Sequence, residues 1–154
     1  MKFFINSGML LAALAVTPLV AFADDRLPAN SKSLLEIVTT LEKAGYGPIV
    51  DASFDDGNWE VEVYRKDTAF ELLVNPSTGE VVSEHRDDAE AKPPAGAKLL
   101  SEIIKNLVDA GYADVNDVSF EGRTWEVEAR RDDVKRELRV NPETAEVISD
   151  RADD

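Results

Sequence analysis

Leu34, Ile37, Val38, Leu41 and Ala44 recur at helical spacing and draw one apolar stripe along about three turns. Leu100, Ile103, Ile104, Leu107 and Ala110 draw the same stripe again, so two amphipathic helices are predicted. Gly45 and Gly111 follow them, where a helix ends on a left-handed residue. Ser33-x-x-Glu36 offers a capping box to the first helix; Leu99 removes the serine from the second. Beyond each helix the period changes to two. Trp59, Val61 and Val63 alternate with Glu60, Glu62 and Tyr64, and Leu72 and Val74 alternate with Glu71 and Leu73. Weaker strands are predicted over 49–54 and 115–120, and closing strands over 80–83 and 146–149. Asn75-Pro76-Ser77-Thr78-Gly79 reads as a turn, with Gly79 free to take a positive φ. A helix followed by four strands on short turns implies an α+β unit, one helix packed on a four-stranded antiparallel sheet.

The pattern occurs twice. Ala44-Gly45-Tyr46, Trp59-Glu60-Val61-Glu62 and Val74-Asn75-Pro76 return at Ala110, Trp125 and Val140, each displaced by 66 residues. Residues 31–88 and 97–154 share 28 identities in 58 positions without a gap, a level that sets the plan of two tandem repeats. Residues 89–96, AEAKPPAG, read as a linker stiffened by Pro93-Pro94. Units this small bury little core alone, so they are expected to share an interface or extend each other's sheet.

Residues 1–23 read as an export leader rather than part of the fold. Lys2 precedes an apolar run over 9–20, and Ala21-Phe22-Ala23 supplies a small-x-small cleavage site. The run is too short for a comfortable membrane span, and Asp24 rather than Cys follows the cut, so no stable membrane anchor is expected after cleavage. The destination is the periplasm or the exterior.

Composition then narrows the chemistry. Lys and Arg total 17 against 31 Asp and Glu, a net charge of -14 that would repel a phosphate backbone and disfavours a nucleic-acid partner. The chain has no cysteine and a single histidine, His85, which removes thiol catalysis, cysteine zinc sites and most nucleophile–histidine machinery. No Gly-rich phosphate loop, HExxH helix, GxSxG elbow or EF-hand loop occurs. A non-enzymatic protein without a cofactor is expected.

The Gly-Tyr after the helix, Trp-Glu-Val-Glu-Val, Glu-Leu-Leu-Val and the closing Asn-Pro-Ser-Thr-Gly-Glu-Val-Val resemble the PepSY family, in both copies. Two departures stand out: Asn75 and Asn141 precede the turn prolines where the family commonly has Asp, and Ala145 replaces the turn glycine in the second copy. The resemblance implies a non-catalytic, cystatin-like α+β domain of exported bacterial proteins and peptidase propeptides, inhibiting or modulating peptidases. The tandem order is also similar in architecture to the secreted β-lactamase inhibitor protein, with joined sheets forming a concave face.

A hairpin closed at Lys66-Asp67 would set Glu62 opposite Glu71, Glu60 opposite Leu73 and Val61 opposite Leu72. The same register sets Glu128 opposite Glu137 and Glu126 opposite Arg139. Tyr64 and Leu73 become Arg130 and Arg139 in the second repeat, so the first repeat is expected to expose an apolar patch framed by Glu60, Glu62 and Glu71. Glu60, Glu62, Tyr64, Glu71 and Leu73 are therefore the candidate binding residues for an extracytoplasmic protein, a peptidase among the candidates. The second repeat, or a second copy of the chain in a homodimer, is the alternative cover for the patch. The opposed carboxylates alternatively suit an acidic cation-binding or metal-responsive factor. The Asp-rich ends, Arg86-Asp87-Asp88 and Arg151-Ala152-Asp153-Asp154, read as frayed and solubilising.

Overall fold

The computed structural model describes residues 26–88 and 91–153; the predicted leader lies outside the described residues. Half one, residues 26–88, runs α1 (Leu34–Lys43), β1 (Ile49–Asp55), β2 (Asn58–Arg65), β3 (Thr68–Val74) and β4 (Val81–Arg86). Half two, residues 91–153, runs α2 (Leu100–Asp109), β5 (Ala113–Glu121), β6 (Thr124–Arg131), β7 (Val134–Val140) and β8 (Val147–Ala152). The eight strands form one antiparallel sheet in the order β4-β3-β2-β1-β5-β6-β7-β8. The expected joining of the units is thus a fusion into one continuous sheet.

The seam lies between β1 and β5, where Ala52 pairs with Val118, flanked by Asp51 with Ser119 and Ser53 with Asp117. Ala52 and Val118 occupy the same position of the repeat. The halves are therefore related by a pseudo-two-fold axis through that pair. Both helices lie on one face. Leu34, Ile37, Val38 and Leu41 of α1 and Leu100, Ile103, Ile104 and Leu107 of α2 join Trp59, Val61, Leu72, Trp125, Val127 and Leu138 in a single core cluster. Both tryptophans are core, each edge-on to the phenylalanine opposite it, Phe54 and Phe120. Each buried aliphatic side chain contributes roughly 1.5–3 kcal/mol, so sharing one core rewards fusion of the halves.

The helix starts divide their capping between the halves. Ser33 completes its capping box with Glu36, whose carboxyl the Ser33 backbone N–H, then its hydroxyl, hold below the usual range. At α2, Leu99 has no oxygen to offer; its N–H still donates to Glu102 at 3.1 Å, and Glu42 of α1 accepts from the Ser101 N–H at 3.2 Å. A side chain of half one thus caps the helix of half two.

The closing turns match as expected. Asn75 Oδ1 accepts from the backbone N–H of Ser77 and Thr78, and Asn141 Oδ1 from Glu143 and Thr144. Gly79 takes φ 77° and Ala145 φ 63°, the left-handed region in both copies. The final strands run further than predicted. His85, Arg86, Arg151 and Ala152 are paired strand residues rather than frayed ends, and Asp87 and Asp153 donate their N–H groups to Ala69 O and Lys135 O. Three residues added to the end of each edge strand satisfy backbone groups that a frayed tail would leave to water.

Candidate functional site

The sheet face opposite the helices carries no second layer among the described residues, and the strand registers order its side chains into two rows. One row runs His85, Glu71, Glu62, Asp51, Ser119, Glu126, Arg139, Ser149. The other runs Ser83, Leu73, Glu60, Ser53, Asp117, Glu128, Glu137, Arg151. Each row is the other read backwards in the opposite repeat, as the pseudo-dyad requires. The two rows alone therefore set eight carboxylates on the open face.

The predicted hairpin pairs stand where the spacing put them: Glu62 against Glu71, Glu60 against Leu73, Glu128 against Glu137, Glu126 against Arg139. Glu60, Glu62, Glu71 and Leu73 occupy neighbouring positions on this face, while Tyr64 is a correction. Its side chain was expected in an exposed patch, yet it is 2 % exposed, packed with Val50 and Ala69 and covered by Lys92, whose ammonium lies 4.1 Å from the ring centroid. Lys92 of the linker thus covers the face at that point, so Leu73 alone represents the apolar part of the patch. Period-two alternation showed which way Tyr64 points, not that another segment covers it.

The electrostatics of the two halves differ. In half two Arg139 meets Glu126 at 2.9 Å, Lys135 meets Glu128 at 3.0 Å and Asp153 at 3.2 Å, and Arg151 approaches Glu137 at 3.6 Å. Hydrogen bonds to Glu128, then Asp153, hold the Lys135 pKa above its ordinary value against the effect of burial. Beside them, burial first and the Glu128 charge second push the Asp117 carboxyl up to about 6, with Lys135 opposing. In half one the equivalents of Lys135, Arg139 and Arg151 are Ala69, Leu73 and His85. Burial, then Glu71, Asp55 and Asp56, push the Glu60 carboxyl up. The carboxylate oxygens of Glu62, Glu71 and Asp87 converge within 4.8 Å of one another. Asp87 was missed by reading its segment as a solvated tail; its recurrence as Asp153, 66 residues on, is the signal that could have found it.

On the helix side of the sheet a latch ties each closing strand to the residue after the glycine. Tyr46 donates to Glu84, which also pairs with Arg65 at 3.0 Å. Tyr112 donates to Asp150 at 2.7 Å, and Arg136 adds a 2.6 Å ion pair. Arg136 first, then Tyr112, hold the Asp150 carboxyl below its ordinary value against burial.

The chain has a counterpart among known families, matched twice in step with its tandem order. The peptidase propeptide and YPEB domain, PepSY, matches residues 8–85 and again residues 87–151. The chain belongs to the PepSY family. Among solved structures, this PepSY chain is similar to one described as a lipoprotein from Clostridium difficile, at 10 % identity and TM-score 0.47, covering 84 % of this chain and 100 % of that one. It is also similar to a DUF2874 family protein from Bacteroides uniformis, at 13 % identity and TM-score 0.28, covering 81 % and 88 %. No curated protein matches the chain.

Proposed function

We propose that this PepSY protein is an exported, non-catalytic binding module that docks an extracytoplasmic protein on the open face of its sheet. The observation that carries the reading is the face itself: eight strands broad, free of helices among the described residues, with Leu73 set among Glu60, Glu62 and Glu71. Family membership supports a peptidase as the class of target, through inhibition or modulation. The apolar run over 9–20 and Ala21-Phe22-Ala23 support export. Among the described residues, no helix is long and apolar enough to cross a membrane.

The test is affinity capture from the native cell envelope, with the chain from residue 24 as bait, beside Leu73→Arg. Half two already carries Arg139 at that position, so the fold tolerates the side chain. A partner held by the wild type and lost by the variant supports docking on this face; a partner held equally by both overturns it. A second reading, cation binding by strand carboxylates, is supported by the convergence of Glu62, Glu71 and Asp87. Calorimetric titration with calcium, magnesium and zinc tests it: heat that disappears in Glu71→Gln supports it, and absence of heat removes it.

A further inference from the structure

The joint between the halves leaves two clefts on the helix side, each between the start of one helix and the end of the other. Leu34, Val108 and Val115 line the first where Leu100, Glu42 and Ile49, their counterparts 66 residues away, line the second. The chain fills the first itself: Leu27 lies in it, packed against the core, and about 170 Å³ is left over. At that position of the repeat the second cleft has Pro93, a shorter side chain, and about 490 Å³ stays open with Trp125 among its walls. The rims differ as well. Ser33 caps α1 with its hydroxyl; Leu99 in the same place has no oxygen to cap α2 and stands 57 % exposed beside the opening. Glu42 makes good the missing acceptor for α2. An exposed leucine is ordinary on a surface, but this one has displaced a cap at the mouth of an apolar cleft. Pro48, Pro93 and Pro94, with their fixed φ, stiffen the walls against collapse.

We propose that the second cleft docks a leucine side chain of a partner protein, inserted where Leu27 stands in the first. The cleft continues an interface the chain has already built, the contact between its halves, and the twin end of that interface shows the occupant it takes. Leu27 precedes Pro28, and a proline favours an extended backbone at the residue before it. The matching partner segment is therefore an extended one that presents a single aliphatic side chain. A volume of about 490 Å³ is ample for that side chain and the backbone beside it, and stiff walls spare the ordering cost of forming the site. Two copies of the chain, each of net charge -14, repel one another, which favours a different protein over self-association. The site lies across the sheet from Leu73, so it is a contact beyond the docking face proposed above.

The test is a titration of the isotope-labelled chain from residue 24 with acetyl-Arg-Leu-Pro-Ala-Asn amide, which copies residues 26–30. The two indole N–H signals report the two halves. Movement of the Trp125 indole and of the Tyr46 and Leu99 amides, with the Trp59 indole in place, is the expected result. A control peptide with alanine for its leucine should bind about tenfold more weakly. Leu99→Ser gives α2 the residue that already caps α1, so it should hold or raise the Tm while weakening the peptide about threefold. Pro93→Leu should fill the cleft in cis and abolish binding; Leu99→Ser decides the matter where that variant does not fold. Leu73→Arg, across the sheet, should leave the peptide affinity unchanged. Both indoles moving alike, equal affinity for the alanine peptide, or affinity unchanged in Leu99→Ser overturns the proposal. Loss of peptide binding in Leu73→Arg overturns it too, since the peptide would then sit on the open face. Self-association in sedimentation that disappears in Pro93→Leu overturns it in favour of a second copy of the chain.

Discussion

The two halves of the sheet are built from one pattern and treat their open faces differently. Half two answers its carboxylates from within, Glu126 with Arg139, Glu128 and Asp153 with Lys135, Glu137 with Arg151. Half one keeps the carboxylates and replaces those three cations with Leu73, Ala69 and His85. Its linker lays Lys92 over Tyr64 instead. The same contrast runs along the clefts between the halves. The N-terminal lead-in seats Leu27 in one, leaving about 170 Å³, whereas Pro93 stands in its place in the other, which holds about 490 Å³ and leaves Leu99 57 % exposed. The turn leading into each helix is otherwise conserved between the halves: Ser31 N–H meets Pro28 O and Ala97 N–H meets Pro94 O. Core and turns are constrained to match because both halves build one sheet. The open face is where the halves are at liberty to diverge, so divergence there marks a difference in task.

One sheet and one core tie the halves together, and the seam between β1 and β5 is where they can be parted. Ala52 and Val118 are fully buried on the pseudo-dyad. Val118→Asp places an unpaired charge there and should cost more than about 4 kcal/mol. The expected outcome is loss of the folded state in both halves at once, read by circular dichroism on heating. A variant that retains half of its cooperative transition would show two independent domains beside each other.

A smaller change tests whether the halves exchange caps. Glu42→Ala should cost about 1 kcal/mol by stripping the Ser101 N–H of its acceptor, as much as Ser33→Ala costs α1. Urea melts of both variants compare them. A neutral Glu42→Ala beside a destabilising Ser33→Ala would show that α2 stands without help from half one.

Much of this architecture was legible in the chain. Helical stripes and period-two strands depend on neighbours in sequence, and a hairpin register follows once Lys66-Asp67 is placed in its turn. The opposed pairs Glu62/Glu71 and Glu128/Glu137 followed directly. The pairing of β1 with β5, across more than sixty residues, carries no local signal, because either edge of a four-stranded unit could have joined its neighbour. Tyr64 showed its face but not the linker over it. Asp87 and Asp153 read as solvent-facing because acidic ends usually are, while the backbone bonds to residues 69 and 135 that hold them appear only when the edge strands extend. The candidate site was therefore half visible: its carboxylate pairs by register, its third member and its cover only by tertiary contact.

The electrostatic difference between the halves also shows in their response to pH. Asp117, half-buried beside Glu128, has a folded pKa of about 6 against an ordinary 3.8. A raised carboxyl binds its proton more tightly in the folded chain than in the unfolded one. The group therefore leaves stability untouched below pH 3.8, opposes folding increasingly between 3.8 and about 6, and opposes it at a constant level above. Discounted for solvent screening, the opposition is roughly 1 kcal/mol. Asp117→Asn should raise stability by about that much at pH 7.5 and leave it unchanged at pH 3.5. Equal effects at the two pH values, measured by denaturant unfolding, would remove titration of Asp117 as the cause.

The smallest expected effect lies in the closing turns, where Gly79 and Ala145 differ by one methyl group. Gly79 at φ 77° bears no Cβ, and a Cβ built there would meet Lys32 Cδ at 3.4 Å and Ile37 Cδ1 at 3.7 Å, ordinary contacts. Gly79→Ala is thus limited by conformation rather than space, and holding an L-residue left-handed costs roughly 1–2 kcal/mol. A stiffer unfolded chain returns roughly 0.4–1 kcal/mol of that, and the added methyl gains some burial. Ala145 at φ 63° already lives with this balance, and its side chain is buried in the core cluster. Reading the turn from sequence weighs strain against entropy alone and expects Ala145→Gly to stabilise slightly. The buried methyl adds about 0.8 kcal/mol to the other side. The three contributions nearly cancel, so Ala145→Gly should change stability by less than about 1 kcal/mol, a shift of no more than a few degrees in Tm. A stabilisation beyond that would mean strain dominates at residue 145; a destabilisation beyond it would mean the methyl packs better than one CH₂ of transfer accounts for. Either result would separate two turns that share Asn-Pro, Thr and Glu and differ in how the second half tolerates its alanine.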